Sequence, residues 1–426
     1  MRRLLLAMAM VWATGIASEA RAQVTGRIVG PGATRLEIAV SPLAGDALGQ
    51  KFAEVVARNL TLSGYFRVLD SKAYIEGPTP IEASQINFAN WSTIGAKALV
   101  KGTISQSGGG LAIEARLYDV AGHSELGGAR YNGGPDLVSQ MARRFADKIL
   151  ELVTGEAGPF DSKIAFASRR GGRAKEIHVM SVDAFEVAGV TSNRTINLAP
   201  SWSPDTRSLL FTSFMDGNPS LYRFDLSSRG VRKISASRGL NLGGRWSPDG
   251  RTIAVSLERG GNSDIFLLDP EGQVRNQLTK SPEIDVSPTW SPDGNLIAFV
   301  SSRTGSPQIY TMNADGSNQK RLTFQGSYNT SPSWSPKGDL IAYVTREGGF
   351  NVCTINLKTN QVKTVTSGQG NNEDPSFSPD GRYLVFSSSR VGKPALFLAD
   401  VTGEHQVQLT TSGGDDTSPS WSPRLP

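Results

Sequence analysis

From residue 160 to the end of the chain, short apolar runs alternate with turn-forming residues in a repeating pattern. Each repeat begins with an aromatic residue that is followed by Ser-Pro and, in half of the copies, by Asp-Gly. Successive aromatic residues are 44, 44, 44, 43 and 44 positions apart, at Trp202, Trp246, Trp290, Trp334, Phe377 and Trp421. Two apolar runs and an aliphatic-Thr/Ser pair follow, which makes four strands in about 44 residues. The pattern predicts an all-β propeller.

The Ser-Pro-Asp-Gly segment has the composition of a tight turn. Pro supplies the fixed φ that the second position of a type I turn requires, and Gly accepts a positive φ at the exit. The aromatic residue before each turn is predicted to wedge between neighbouring blades, where it contributes to the core rather than to a ligand site.

The two ends of the repeat array are out of phase. The run at 164–166 resembles a second strand but has no motif before it, whereas the motif at Trp421 has no strand after it. A circular arrangement explains both, with the last motif supplying the first strand of the first blade. We therefore expect a six-bladed propeller over residues 160–426, closed by the C-terminal strand so that no edge strand stays open.

Residues 34–154 lack the repeat and predict a separate α/β domain, joined to the propeller by a linker at 155–159. Apolar residues at helical spacing and at alternating positions distinguish its helices from its strands. Strands are predicted at 36–40, 98–104, 111–120 and 126–131, with a glycine hairpin turn at 108–110. Helices are predicted at 48–62, 90–96 and 136–153, the last with Asp136 as its cap.

The N-terminal 22 residues have the form of an export signal. Two arginines precede an apolar run at 4–17, and Ala20-Arg21-Ala22 is a typical cleavage site. Cleavage would leave a mobile tail at 23–33 and a protein outside the cytoplasm, in the periplasm. The apolar run is too short for a membrane anchor, and no other stretch is long enough to span a bilayer.

Composition and charge exclude several classes of protein. The formal net charge of +5 over 426 residues, without a long Lys/Arg run, does not fit a nucleic-acid-binding protein. Cys353 is the single cysteine, which excludes an intrachain disulfide framework and a cysteine-based zinc cluster. We expect Cys353 to be buried and without chemistry.

A search for catalytic motifs favours a protein that is not an enzyme and has no cofactor or metal. The nucleophile pattern Gly-x-Ser-x-Gly is absent, and the nearest approach, at 122–126, lies in a predicted hairpin. No phosphate-binding glycine loop is present. His123, His178 and His405 have no His or Cys at metal-ligand spacing.

The remaining candidate is a surface. In such blades the loops before each motif share one face with the loops between second and third strands. The first set is rich in acidic and amide groups; the second carries Arg169, Arg170, Arg259, Arg303, Arg346 and Arg390. Mixed charge suits a protein partner, where charges fix register. Solvated loops, or a cation held in the channel, are the alternatives.

The export signal, the small α/β domain and the six repeats closed by the C-terminus together resemble the TolB family, the periplasmic component of the Tol-Pal system of diderm bacteria. The resemblance covers nearly the whole chain after residue 22. It implies a monomeric, non-enzymatic scaffold that supports outer-membrane integrity and envelope constriction at cell division. A propeller-based hydrolase with its site in the channel, or a glycan-binding propeller with an aromatic-lined pocket, remains the alternative.

The resemblance also implies two partner sites. The face with the motif-leading loops would bind the lipoprotein Pal through Leu240, Gly243, Asp285, Val286, Tyr328, Thr330, Glu373, Asp374, Asp416 and Thr417. The tail would bind the inner-membrane protein TolA through Gln23, Val24, Thr25, Arg27, Ile28 and Val29. The second motif has Gly244 where the others have Pro, so the loop at 240–243 is expected to differ in shape.

Overall fold

The computed structural model describes residues 35–170, 172–235, 239, 241–411 and 413–426. The export signal, the tail and its six candidate residues, and Leu240 therefore lie outside the described residues. The N-terminal domain contains three helices and five strands in the following order: β1 (Leu36–Val40), α1 (Leu48–Ser63), β2 (Phe66–Val68), α2 (Phe88–Thr93), β3 (Ala98–Ser107), β4 (Gly110–Asp119), β5 (Ser124–Gly133) and α3 (Val138–Thr154).

The five strands form one mixed sheet in the order β2-β1-β3-β4-β5. β1 is parallel to both of its neighbours, and β3, β4 and β5 form an antiparallel meander. Helices α1 and α3 cover one face of this sheet, because their apolar stripes bury Phe52, Val56, Phe145 and Ile149 against it. The predicted domain is confirmed at the level of fold class.

Three local predictions in this domain were wrong. The predicted cap Asp136 lies in a 3₁₀ turn at Pro135–Leu137, and α3 begins after it without a side-chain cap. The second helix is Phe88–Thr93 rather than 90–96, and Gly110 belongs to β4 rather than to the turn. The short strand β2 was not predicted.

The propeller consists of six four-stranded antiparallel sheets, and the first strand of each sheet lines a central channel. Blade 1 holds β6 (Lys163–Ser168), β7 (Glu176–Ser181) and β8 (Val187–Gly189) together with the last strand, β29 (Thr417–Trp421). Blade 2 holds β9 (Asn197–Trp202), β10 (Ser208–Ser213), β11 (Ser220–Asp225) and β12 (Val231–Ser235). Blade 3 holds β13 (Asn241–Trp246), β14 (Ile253–Arg259), β15 (Asn262–Leu268) and β16 (Val274–Gln277).

The remaining blades repeat this order. Blade 4 holds β17 (Asp285–Trp290), β18 (Leu296–Ser301), β19 (Gln308–Asn313) and β20 (Lys320–Arg321). Blade 5 holds β21 (Asn329–Trp334), β22 (Leu340–Arg346), β23 (Phe350–Asn356) and β24 (Val362–Thr364). Blade 6 holds β25 (Asn372–Phe377), β26 (Tyr383–Ser388), β27 (Ala395–Asp400) and β28 (Gln406–Gln408), and β29 (Thr417–Trp421) then returns to blade 1.

The circular closure is confirmed. β29 pairs antiparallel with β6, with Thr417 opposite Ala167 and Trp421 opposite Ile164. The chain therefore ends as the innermost strand of the blade in which the propeller begins.

The motif aromatics wedge between blades, as the sequence predicts. Five of the six are less than 10% exposed, and Trp290 is half-buried. Two of them bond to the inner strand of the preceding blade: the Trp202 indole donates to the Ser420 carbonyl at 3.1 Å and the Trp290 indole to the Arg245 carbonyl at 3.2 Å. The repeat is thus a packing unit that joins each blade to the next.

The two domains share one hydrophobic core. Residues of α1 and α3 pack in the same cluster as Ile164, Tyr383 and Leu398 of the propeller. A buried ion pair crosses the boundary, because the Arg143 guanidinium of α3 donates to the Asp183 carboxylate at 2.8 Å. Asp183 also accepts from Asn59 of α1. Loss of either partner would leave a buried charge uncompensated, so this ion pair favours the observed contact between the domains.

Asp147 of α3 binds the backbone of the segment where the propeller begins. Its two carboxylate oxygens accept hydrogen bonds from the backbone amides of Phe160 and Asp161, at 2.8 and 3.0 Å. Burial raises the pKa of Asp147 to about 7, although the two amide donors lower it. The carboxyl group is therefore costly to ionise in the folded protein.

We expect Asp147 to make the protein less stable as the pH rises from about 4 to about 7. In that window the unfolded Asp is ionised and the folded one retains its proton, so the native state binds more protons. The free energy of unfolding should fall by up to about 1.4 kcal/mol per pH unit from this group.

Urea titrations of wild type and Asp147→Asn at pH 5, 6 and 7.5 measure this slope; the variant should lack it. Asp136→Asn, at an exposed carboxyl beside α3, should leave the slope unchanged; identical slopes in wild type and Asp147→Asn would contradict the expectation.

Candidate partner-binding face of the propeller

The loops that precede the motifs and the loops between second and third strands lie at the same end of the propeller. Three contacts join the two sets: Arg303 donates to Asp285 at 2.9 Å, Arg170 to Asp416 at 2.7 Å, and Arg390 to Asn372 at 2.9 Å. We call this end the inner-strand face. The other end carries the Ser-Pro turns, and we call it the turn face.

An amide or carboxylate side chain stands at the first residue of each inner strand on this face or, for β29, immediately before it. The six residues are at most 1% exposed and are Asn197, Asn241, Asp285, Asn329, Asn372 and Asp416. They bind neighbouring loops: Asn329, for example, donates to the Gln308 side chain and to the Gln325 carbonyl. The asparagines of this ring fasten their inner strands to the preceding blade, whereas the two aspartates pair with an arginine of their own blade. Asp285 and Asp416, two of the predicted contact residues, belong to it and are not accessible.

Three of the arginines in the second set of loops, Arg170, Arg303 and Arg390, pair with this ring. The Arg303 guanidinium lies over the Phe299 and Tyr310 rings and also donates to Ser301 and Gln319. Arg390 repeats the arrangement over Phe386 and Phe397 in blade 6. These three cations are held within the blade and shape the face. The other three, Arg169, Arg259 and Arg346, are exposed on it.

Two residues further on, the inner strand bulges into the mouth of the channel. The residue at this position has a positive φ of 50–65° in all six blades: Ala199, Gly243, Ser287, Ser331, Asp374 and Ser418. The strand pairing shifts register at the same place in each blade, as a β-bulge does. Gly243 has the same backbone conformation as its equivalents, so the expected difference at 240–243 does not extend to Gly243.

The presence of Gly at position 244, where the other motifs have Pro, is explained by a neighbouring side chain. A Cβ atom on Gly244 would lie 2.9 Å from both terminal carbons of Leu221, closer than real contacts allow. Leu221 of blade 2 thus occupies the space that a larger residue would need.

Asp374 is the one carboxylate in the bulge ring. It accepts hydrogen bonds from Ser331 of blade 5 at 3.1 Å and from Ser418 of blade 1 at 3.0 Å. Asp374 belongs to blade 6, so these bonds join three adjacent blades across the channel mouth. Its position makes it a structural element of the mouth as well as a candidate contact.

The side chains between the buried ring and the bulge ring are available for contact. Glu373 is exposed, and Val286, Thr330 and Thr417 are half-buried at the same strand position in their blades. Tyr328 lies nearby against Phe350, with 6.0 Å between ring centroids. Burial, together with the neighbouring Asp374 charge, raises the pKa of Glu373. The structure thus brings the predicted accessible residues to one end of the channel.

The sequence analysis missed an apolar rim on this face. Of the eleven large hydrophobic residues that are exposed in the described part of the chain, five lie in these loops: Ile196, Met215, Ile284, Phe324 and Val391. Phe324 is 75% exposed, more than any of the others. Isolated apolar residues inside polar loops, such as Ile284 between Glu283 and Asp285, are the sequence signal that could have found them. Exposed apolar groups beside polar ones are typical of protein interfaces.

The three histidines and the cysteine are held by local packing contacts. His405 bonds to the Leu62 carbonyl at the domain boundary, His123 stacks on Phe88, and His178 packs beside Phe166. Cys353 is buried, and burial raises the pKa of its thiol. No cluster of three or more metal-ligating side chains occurs within the described residues.

Two family descriptions together match most of the chain. The TolB beta propeller domain matches residues 150–425 and the TolB amino-terminal domain matches residues 25–126. The chain belongs to the TolB family. Its two matched regions agree with the propeller and the α/β domain seen in the structure.

Relatives and solved structures agree with this assignment. The Tol-Pal system protein TolB of Methylobacillus flagellatus is 51% identical over 417 residues, which is 96% of this chain and 95% of that protein. The Tol-Pal system protein TolB of Desulfosudis oleivorans is 38% identical over 175 residues, and that match spans only 40% of its length. The crystal structure of TolB from Acinetobacter baumannii superimposes with a TM-score of 0.83 at 28% identity and covers 93% of this chain and 98% of its own. The described fold of this chain thus agrees along nearly its whole length with that of a TolB family member.

None of the helices in the described part of the chain could cross a membrane. The two long helices, α1 and α3, are amphipathic, and neither has the length and apolar content that crossing a bilayer requires.

Proposed function

We propose that this protein is a periplasmic, non-enzymatic interaction scaffold of the Tol-Pal system. It binds Pal through the inner-strand face and TolA through its N-terminal tail, and it supports outer-membrane integrity and envelope constriction during cell division. The observation that carries the proposal is the ring of accessible side chains at one end of the propeller, in a chain that matches a Tol-Pal system protein along 96% of its length.

The chemistry of the inner-strand face favours a protein ligand. Exposed apolar side chains stand beside carboxylates such as Glu373 and beside the half-buried Val286 and Thr330, while three of the six arginines of these loops are bound within their blades. A polyanion fits this face poorly, because the exposed carboxylates of Glu283 and Glu373 would repel it. A hydrolase would need paired acid–base groups at the channel mouth, where Asp374 is the only carboxylate in the bulge ring.

Two substitutions on this face should remove Pal binding without unfolding the protein. In Glu373→Arg with Thr330→Arg, long cations replace an acidic and a small side chain at equivalent strand positions of neighbouring blades. We expect the dissociation constant for the periplasmic domain of Pal to rise at least about tenfold, because an interface tolerates a reversed charge poorly. Calorimetric titration of residues 23–426 measures this, with the melting temperature as a folding control.

A matched double variant tests whether the effect belongs to this face. Glu271→Arg with Thr359→Arg makes the same changes at exposed positions in the hairpins between third and fourth strands, on the turn face. This variant should bind Pal like wild type. Binding that survives the inner-strand-face substitutions would place the site elsewhere, and absence of binding by wild type at high micromolar concentration would exclude Pal as the partner.

A further inference from the structure

At the turn face the central channel opens into a chamber that the proposed partner-binding role does not use. Its volume is about 690 Å³, within the range of ligand pockets. All six blades contribute the same lining, namely the edge of the motif aromatic and the motif proline. The aromatic rings are largely buried between blades, so they offer edges rather than faces to the chamber. This geometry suits a flat apolar group better than a sugar, which would stack on exposed ring faces.

One cation stands at the floor of this chamber. Arg245 lines both the chamber and a narrower cavity of about 110 Å³ that leads to the inner-strand face. The equivalent residues before the motif aromatic are small and uncharged in the other five blades: Ser201, Thr289, Ser333, Ser376 and Ser420. Arg245 is therefore a feature of this channel that the repeat does not require.

The guanidinium of Arg245 is poorly compensated. It donates to the Pro200 carbonyl at 3.3 Å, and no carboxylate of the described residues approaches it within ion-pair distance. Desolvation lowers the pKa of Arg245, and the charge of Asp374, which belongs to the opposite blade, offsets this only in part. The Asp374 carboxylate is itself held by Ser331 and Ser418. A desolvated guanidinium with unused N–H donors is a binding site for an anion.

The second arginine of the chamber is already occupied. Arg424 stands at the rim and donates to the backbone carbonyls of Ala157 and Gly158 in the segment between the domains. The positive charge that is free to meet a ligand is thus concentrated at the floor, below an apolar wall.

We propose that the chamber binds a small organic carboxylate with a flat apolar body. The carboxylate pairs with the Arg245 guanidinium at the floor, and the apolar body lies against the prolines and the aromatic edges of the wall. The site is at the opposite end of the channel from the inner-strand face, so such a ligand and a protein partner do not compete for the same surface.

Calorimetric titration of residues 23–426 with 2-naphthoate tests this site. We expect saturable binding to wild type that weakens at least about tenfold in Arg245→Gln, since a bidentate, charge-assisted contact is lost. Arg207→Gln removes the same charge from an exposed position next to a motif turn and should bind like wild type. The melting temperature of each variant reports whether it is folded.

Two further probes separate the contributions of the ligand. The neutral 2-naphthamide should bind much more weakly than 2-naphthoate if the carboxylate contacts Arg245, and acetate should bind weakly if the apolar wall contributes. Equal binding of 2-naphthoate to wild type and Arg245→Gln, equal binding of the acid and the amide, or no binding of 2-naphthoate at several millimolar would overturn the proposal.

Discussion

Replacing Trp421 with Ala should lower the free energy of unfolding by about 3–5 kcal/mol, the usual cost of removing a buried Trp. Trp421 lies where the two ends of the propeller meet, 6% exposed, in the last strand of the chain. Its indole donates to Ser162 at 2.8 Å, and its amide donates to Ser376 at 2.9 Å in blade 6. The side chain therefore fills the seam that closes the ring, and the cavity left by Ala would weaken both flanking blades.

Two comparisons show whether closure or simple cavity formation is responsible. Trp421→Phe should cost only about 1 kcal/mol, because Phe377 fills the equivalent place in blade 6 and only the bond to Ser162 is lost. Trp334→Ala makes a similar cavity between two internal blades, where the chain itself joins the sheets. Urea unfolding followed by circular dichroism should show a larger loss for Trp421→Ala than for Trp334→Ala. Equal losses of unfolding free energy would mean that the closing seam contributes no more to stability than a contact between internal blades.

The repeat made the propeller predictable, because each copy combines three independent signals. Spacing gave the number of blades, Ser-Pro-Asp-Gly gave the turns, and the phase difference between the ends gave the closure. The structure adds how the turn is held: Ser247 donates to Asp249 at 2.5 Å and accepts from the Thr252 amide at 3.0 Å. The copy at Ser335 has Lys337 in place of that Asp and uses Asp339 instead. Such compensation is visible only once the turn is folded.

The failures in the N-terminal domain have local causes. β2 spans only Phe66–Val68, too short for alternation to be recognised, and it is a strand because it pairs in parallel with β1. Asp136 has the composition of a cap, but Pro135 directs a 3₁₀ turn before the helix begins. In both cases tertiary pairing or turn geometry decided the outcome, and neither is encoded in the hydrophobic pattern.

The face was easier to predict than the exposure of its residues. Loop order along the chain places Asp285 and Glu373 at the same end of the propeller, and both carry a carboxylate. The sequence does not show that Asp285 is 0% exposed, whereas Glu373 is exposed one step further along its strand. The difference depends on Arg303, which lies 18 residues away in the chain but reaches back across the blade. Substituting the buried Asp285 should therefore change stability, whereas substituting the exposed Glu373 should change partner binding.

Replacing Asp285 with Ala should destabilise the protein by about 3 kcal/mol and leave Pal binding nearly unchanged. Breaking a buried ion pair leaves the partner charge without compensation. Arg303 retains Ser301, Gln319 and two aromatic rings and is about a quarter exposed, so water limits the penalty. The free energy of unfolding from urea titration and the Pal affinity from calorimetry measure the two effects separately.

Asp285→Asn provides the matched control, because another blade of the protein already has an Asn–Arg pair at this position. In blade 6 the equivalent residue is Asn372, and Arg390 donates to its side-chain oxygen at 2.9 Å, the distance that Arg303 keeps to Asp285. The Asn variant should therefore stay within about 1 kcal/mol of wild type, since a hydrogen bond replaces the ion pair. If both variants unfolded like wild type while Pal affinity fell, Asp285 would be a contact residue, and the ring of buried amides and carboxylates would have to open when the partner binds. If stability falls only for Ala and affinity for neither, this ring is the frame that holds the accessible residues of the inner-strand face in place.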